Sequence, residues 1–245
     1  MSVEKTALVT GATAGIGRSV IEVLLREGWK VVGCARRVEE SQDLRDLGAE
    51  VVSCDVSDPQ SVSEMVRGVA QTHERIGALI NCAGVVLPRS GFATTSDADM
   101  EKIFSINVFG TIRMTRAVLP LMSQGGTIVN LSSTLSSRPR PGSVLYAATK
   151  GAIEAFSTAL ATEVCEDNIR VQVVAPALVR SRIWLEAGVS SEDYESLLKQ
   201  RGEEFPLRRV GEPEDVSELI AFLVSDKAAW MTGNAIQVDG GALLR

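Results

Sequence analysis

Histidine is nearly absent. The 245 residues contain one, His73, in a polar stretch at the end of a helical segment, where a surface role suits it. A serine hydrolase needs a partner histidine and a Gly-Xxx-Ser-Xxx-Gly turn, and neither is evident. The four cysteines, Cys34, Cys54, Cys82 and Cys165, are scattered and form no Cys-Xxx-Xxx-Cys. Reduced, mostly buried thiols are expected, with no zinc site and no disulfide framework. Aromatic residues make up only 4% of the chain, which argues against a wide, flat hydrophobic cleft. No apolar run approaches the ~20 residues that span a bilayer. The net charge is −6 with dispersed basic residues, unlike the basic footprint of a nucleic-acid binder. No Pro/Gly/Ser-rich linker or low-complexity tract divides the chain, so residues 1–245 are expected to form one domain. The first strand begins almost at once and leaves no room for a signal peptide, so a cytoplasmic location is expected.

What is present is a rhythm. Short runs rich in Val, Ile and Ala fall at 7–10, 30–35, 50–54, 78–82, 127–131, 170–174 and 235–238. They are continuously apolar rather than alternating, as strands buried on both faces are. Helical stretches lie between them, near 16–27, 39–47, 58–74, 97–123, 146–166 and 212–225. Strand–helix alternation predicts an α/β fold, a doubly wound parallel sheet with helices on both faces. Segment 176–211 breaks the rhythm. It is long and polar, holds Trp184 and Tyr194, and reads as a substrate lid within the domain. Helix 146–166 carries small residues at Ala147, Gly151, Ala155 and Ala159, a ridge suited to its own sheet or to a second subunit.

Two spacings carry chemistry. Tyr146 and Lys150 stand four apart, on one face of a helix. A free phenol titrates near 10, and a neighbouring cation would draw it toward the working range. Ser133 ends the preceding apolar run and offers a hydroxyl to a substrate oxygen. At the chain start, Gly11, Gly15 and Gly17 sit between a strand and a helix, a context for binding phosphate at the helix N-terminus.

Together these motifs resemble the classical short-chain dehydrogenase/reductase family over essentially the whole chain. Residues 10–17 match its cofactor loop, residues 81–84 its Asn-Asn-Ala-Gly motif, and Asp239-Gly240-Gly241 its ending. The resemblance implies a Rossmann-type, seven-stranded sheet. It implies Asn107, Ser133, Tyr146 and Lys150 as the catalytic set: Tyr146 as acid/base, Lys150 as its tuner and ribose ligand, Ser133 holding the substrate oxygen, and Asn107 keeping a water. A bland alternative for Asn107 is that it satisfies backbone groups. The implied cofactor contacts are Gly11, Thr13, Gly15, Ile16, Gly17, Asp55, Val56, Asn81, Ala83, Gly84, Tyr146, Lys150, Pro176, Val179 and Ser181. The family habit also suggests a homotetramer. Ala177 and Ser181 depart from the usual Gly and Thr, and Gln172 from a common Asn.

After the second strand, Ala35 replaces the acid that would bond an adenosine ribose, and Arg36 and Arg37 follow. Guanidinium groups suit a 2′-phosphate, so NADP(H) is the expected cofactor. The expected reaction interconverts a carbonyl and a secondary alcohol on a free small molecule. A 3-oxoacyl-(acyl-carrier-protein) reductase is the nearer alternative, weakened by Ser123-Gln124 and Glu166-Asp167 where that class is basic. A non-catalytic nucleotide sensor is the alternative of another class. Arg138, Arg140, Arg180 and Arg182 are open candidates for meeting an anionic substrate.

Overall fold

The structure, a computed structural model, describes residues 5–39, 41–87 and 91–244. Seven strands form one sheet: β1 (Thr6–Thr10), β2 (Lys30–Ala35), β3 (Glu50–Ser53), β4 (Ile76–Asn81), β5 (Met122–Leu131), β6 (Arg170–Pro176) and β7 (Ala235–Val238). Their order is β3-β2-β1-β4-β5-β6-β7 and every pairing is parallel. The order reverses direction between β1 and β4, and ligands of such sheets bind beyond the carboxyl ends of the strands at that point.

Side chains alternate between two cores. Ala7, Val9, Ala78 and Ile80 face α1 (Gly15–Arg26), α2 (Gln42–Asp46) and α9 (Pro213–Val224). Leu8, Leu79, Ile128 and Val171 face α3 (Pro59–Thr72), α5 (Thr111–Val118) and α6 (Val144–Val164). Burial on both faces is why the strands read as unbroken apolar runs. Segment 176–211 folds into α7 (Ile183–Glu186) and α8 (Ser191–Glu204), packed on a small core of Tyr194, Leu198, Phe205 and Val210.

Three expectations are corrected. The stretch 97–123 is not one helix. It consists of α4 (Asp97–Phe104), a π-helical turn (Ser105–Gly110) and α5, and β5 already begins at Met122. Gly125 and Gly126 hide that early strand start, because they read as a turn. The second helix is confined to Gln42–Asp46 rather than 39–47, and Glu40 lies outside the described residues.

Candidate active site

The carboxyl ends of β1 to β6 open into one cleft of 340 Å³. Six basic and two acidic side chains line it, although the chain as a whole carries −6. The cleft begins at the glycine-rich loop. Gly11 has φ +70, and a Cβ there would lie 3.0 Å from the Ala83 backbone. At Gly17 a Cβ would stand 2.3 Å from the Gly11 carbonyl oxygen, so only glycine lets the loop close on the helix. The N-terminus of α1 has no side-chain cap and no acidic residue in its first turn. By contrast, α3, α4 and α8 are capped by Asp58, Ser96 and Ser190, and α9 by a Glu212–Asp215 box. Uncapped amides beside a glycine cradle fit a pyrophosphate. Thr13, Gly15 and Ile16 line the same stretch, and a Cβ on Gly15 would lie 3.1 Å from that of Ser181 in segment 176–211.

Ala35, Arg36, Arg37, Asp55 and Val56 line the end beyond β2 and β3. Arg37 is in an ion pair with Glu186 of α7 at 3.0 Å, linking the end of β2 to segment 176–211. Asp55 accepts bonds from the Ser57 amide at 2.9 Å and hydroxyl at 2.6 Å. Burial raises its pKa, but those bonds and the Arg36 charge outweigh burial, and the carboxyl lies below its ordinary value.

At the centre, Tyr146 sits in the first turn of α6 and Lys150 one turn later. Lys150 is buried. Its Nζ donates to the Leu131 carbonyl at 2.8 Å and lies 5.5 Å from the Tyr146 ring centroid. Burial pulls its pKa down to about 8, against an opposing pull from Cys82. Burial pushes the Tyr146 phenol up to about 12, opposed by a hydrogen bond with the Ser133 hydroxyl. Tyr146 is half-buried and lines the cleft, with its hydroxyl hydrogen-bonded to Ser133. The spacing from Lys150 predicts a lowering; the phenol instead lies above its ordinary value, with burial as the chief cause. Ser132 and Ser136 both donate to Glu154 Oε1, at 2.7 and 2.6 Å, fixing the strand end that carries Ser133.

Two predicted residues stand off the cleft. The Asn107 side chain is fully engaged. Its Oδ1 accepts from the Val85 amide at 2.8 Å, and its Nδ2 donates to the Val85 carbonyl at 2.9 Å and to Thr149 at 3.3 Å. The amide clamps the loop after β4 through both Val85 backbone groups. Asn81 faces the other way. Its Nδ2 donates to Thr115 and Asn130, and Asn130 to Ser157, in a buried chain between α5 and α6. An odd-numbered position in β4 points to that face, which the Asn-Cys-Ala-Gly match does not reveal. Ala83, Gly84, Pro176, Val179 and Ser181 all line the cleft. Ala177 lines the cleft and packs against the small core of Tyr194, Leu198, Phe205 and Val210.

Sequence reasoning missed an apolar section formed by Leu87, Leu135, Ile183, Trp184, Leu197 and Phe205, together with Arg201. Segment 176–211 read only as long and polar, which gave no signal that α8 turns Leu197 and Arg201 toward the site. Of the four open arginines, Arg140 and Arg182 line the cleft. Arg138 bonds the Ala242 and Leu243 carbonyls, and Arg180 pairs with Glu195 and Glu212.

A family profile described as Enoyl-(Acyl carrier protein) reductase matches residues 11–242. The oxidoreductase UcpA of Escherichia coli K12 is 35% identical over 254 residues, covering 98% of this chain and 95% of that one. The carbonyl reductase family member 4 of Xenopus laevis is 34% identical over 244 residues, 98% of each. The structure of a short-chain dehydrogenase/reductase from Brucella melitensis, titled glucose/ribitol dehydrogenase, superposes with a TM-score of 0.90 at 29% identity, covering 99% of both chains. The chain belongs to the short-chain dehydrogenase/reductase family and is an oxidoreductase of that family. Membership implies a nicotinamide dinucleotide cofactor. No helix among the described residues is long and apolar enough to cross a membrane.

Proposed function

We propose that the protein is an NADPH-dependent oxidoreductase that interconverts a carbonyl and a secondary alcohol on a free small molecule, with Tyr146 as acid/base. The observation that carries this is the convergence of Ser133, Tyr146 and Lys150 at the carboxyl end of β5, beside the uncapped N-terminus of α1. When bound, the dinucleotide supplies the hydride. The Ser133 hydroxyl donates to the substrate carbonyl oxygen. Tyr146, with a pKa of about 12, keeps its proton at neutral pH and delivers it to that oxygen as charge develops. Lys150, charged below about 8, offsets the phenolate left behind. Asn107 is a positioning residue that acts through the Val85 loop. Segment 176–211 serves as the lid of a single domain, and four chains assemble into a homotetramer.

Support for NADPH rests on Arg36. It lines the cleft and its charge reaches Asp55, whereas Arg37 is shared with Glu186. The test has two arms. Tyr146→Phe should abolish reduction of a carbonyl panel while NADPH still quenches protein fluorescence on binding. Turnover within tenfold of the parent would overturn the acid/base role. Arg36→Ala should weaken NADPH about 10- to 100-fold, the loss of one charged hydrogen bond, and leave NADH nearly unaffected. Equal loss for both cofactors would overturn the preference.

A further inference from the structure

The cleft extends past Tyr146 beneath α8, where its lining turns apolar at Leu135, Trp184, Leu197 and Phe205. Two guanidinium groups border this part. Arg140 comes from the loop that leads into α6, and Arg201 from the last turn of α8. Both rest on one carboxylate oxygen, Glu204 Oε2, Arg201 at 2.5 Å and Arg140 at 3.7 Å. Arg140 and Arg201 line the cleft and Glu204 does not. Among the described residues neither guanidinium has a further side-chain partner. Each carries five N–H donors, and one carboxylate oxygen cannot use them all. One negative charge also leaves one positive charge unbalanced. Arg201 is the better anchored, with its side chain only 21% exposed, so its guanidinium is held rather than freely solvated.

We infer that the site takes oxo acids: substrates whose carbonyl meets Ser133 and Tyr146 and whose separate carboxylate meets Arg140 and Arg201, with an apolar chain between. This rests on the carbonyl-reductase reading above. The carboxylate class follows from the site's own geometry, because the arginine pair already holds a carboxylate in Glu204, and the planar fork of arginine matches that group. The apolar lining accounts for the chain between the two polar ends. Reduction leaves the carboxylate untouched: hydride goes to the carbonyl carbon, the Tyr146 proton to its oxygen, and a hydroxy acid results.

The test uses straight-chain oxo acids of four to ten carbons, each beside its methyl ester, with the intact protein and NADPH. Calorimetry reads binding, and NADPH consumption reads turnover. At the best chain length the acid should bind, and show a kcat/KM, about 10- to 100-fold better than its ester. Arg201→Met and Arg140→Met keep an unbranched stem and remove the charge, and each should pull the acid-to-ester ratio toward one. If no acid in the series binds more tightly than its ester, or the ratio survives both variants, the inference is overturned. If a panel ketone is reduced, Tyr146→Phe stops that reduction and the ratio is one, this inference alone has failed. If Tyr146→Phe still turns over, the carbonyl reading has failed first.

Discussion

Lys150 carries a charge into a place that opposes charge. Its burial lowers its pKa from 10.5 to about 8, which corresponds to roughly 3 kcal/mol against folding while both states are protonated. The bond to the Leu131 carbonyl returns about 1 kcal/mol of this. Lys150→Met should therefore stabilise the protein at pH 7 by on the order of 2 kcal/mol, as active-site residues often do when neutralised. The difference depends on pH. Between about 8 and 10.5 the unfolded chain still holds the proton that the folded chain has released. The parent then gains stability relative to the variant as pH rises, and the difference closes. Urea unfolding of both proteins at pH 7 and pH 10 measures it. A difference that stays constant across that window would show that Lys150 is solvated.

Elements decide how such residues meet, and here the lid is the informative case. Ser181, over the phosphate loop, donates its amide to the Tyr194 hydroxyl of α8 at 2.8 Å. Tyr194→Phe keeps the ring in the lid core and leaves that amide unpaired, at about 1–3 kcal/mol to the local fold. Hydrogen exchange should speed up across 181–205 with no change in the sheet, and the KM for cofactor should rise several-fold; unaltered exchange in the lid would remove Tyr194 as its latch. Nothing in the chain's periodicity announced that bond. Periodicity did announce the sheet, since strands buried on both faces must be apolar throughout, and the Tyr146–Lys150 pair, since helical spacing alone brings them together. It missed the π-helical turn at Ser105–Gly110, because one widened turn leaves the surrounding helical pattern intact. It also missed the direction of Asn81 and the cleft-facing side of α8. Both depend on which layer of the fold a side chain meets, a matter of tertiary packing that no local pattern encodes.

At the scale of the whole molecule, one question left open by spacing is answered by packing. The buried side of α6 is Ile153, Ser157, Leu160, Ala161 and Val164. The small-residue ridge faces away from the chain's own sheet: Ala155 and Ala159 are exposed, and a Cβ on Gly151 would meet nothing within 4 Å. A ridge of small residues turned away from the sheet suits a second copy of the same helix related by a two-fold axis. A separate apolar surface lies before β7, where Trp230 is 100% exposed and Phe222 of α9 is 40% exposed. Exposed tryptophan at that level is costly to leave in water and is the residue type most enriched at interface centres. The proposed homotetramer would use these two unlike surfaces, one per two-fold axis, in dihedral symmetry. Light scattering on the eluting protein should give four times the 26.2 kDa of the chain. Gly151→Arg and Trp230→Arg each remove one surface, so each should give a dimer, and the double variant a monomer. A parent that elutes as a monomer at micromolar concentration would refute the assembly. A parent dimer split by only one of the two substitutions would leave that surface as the interface and the other as ordinary exposed chain.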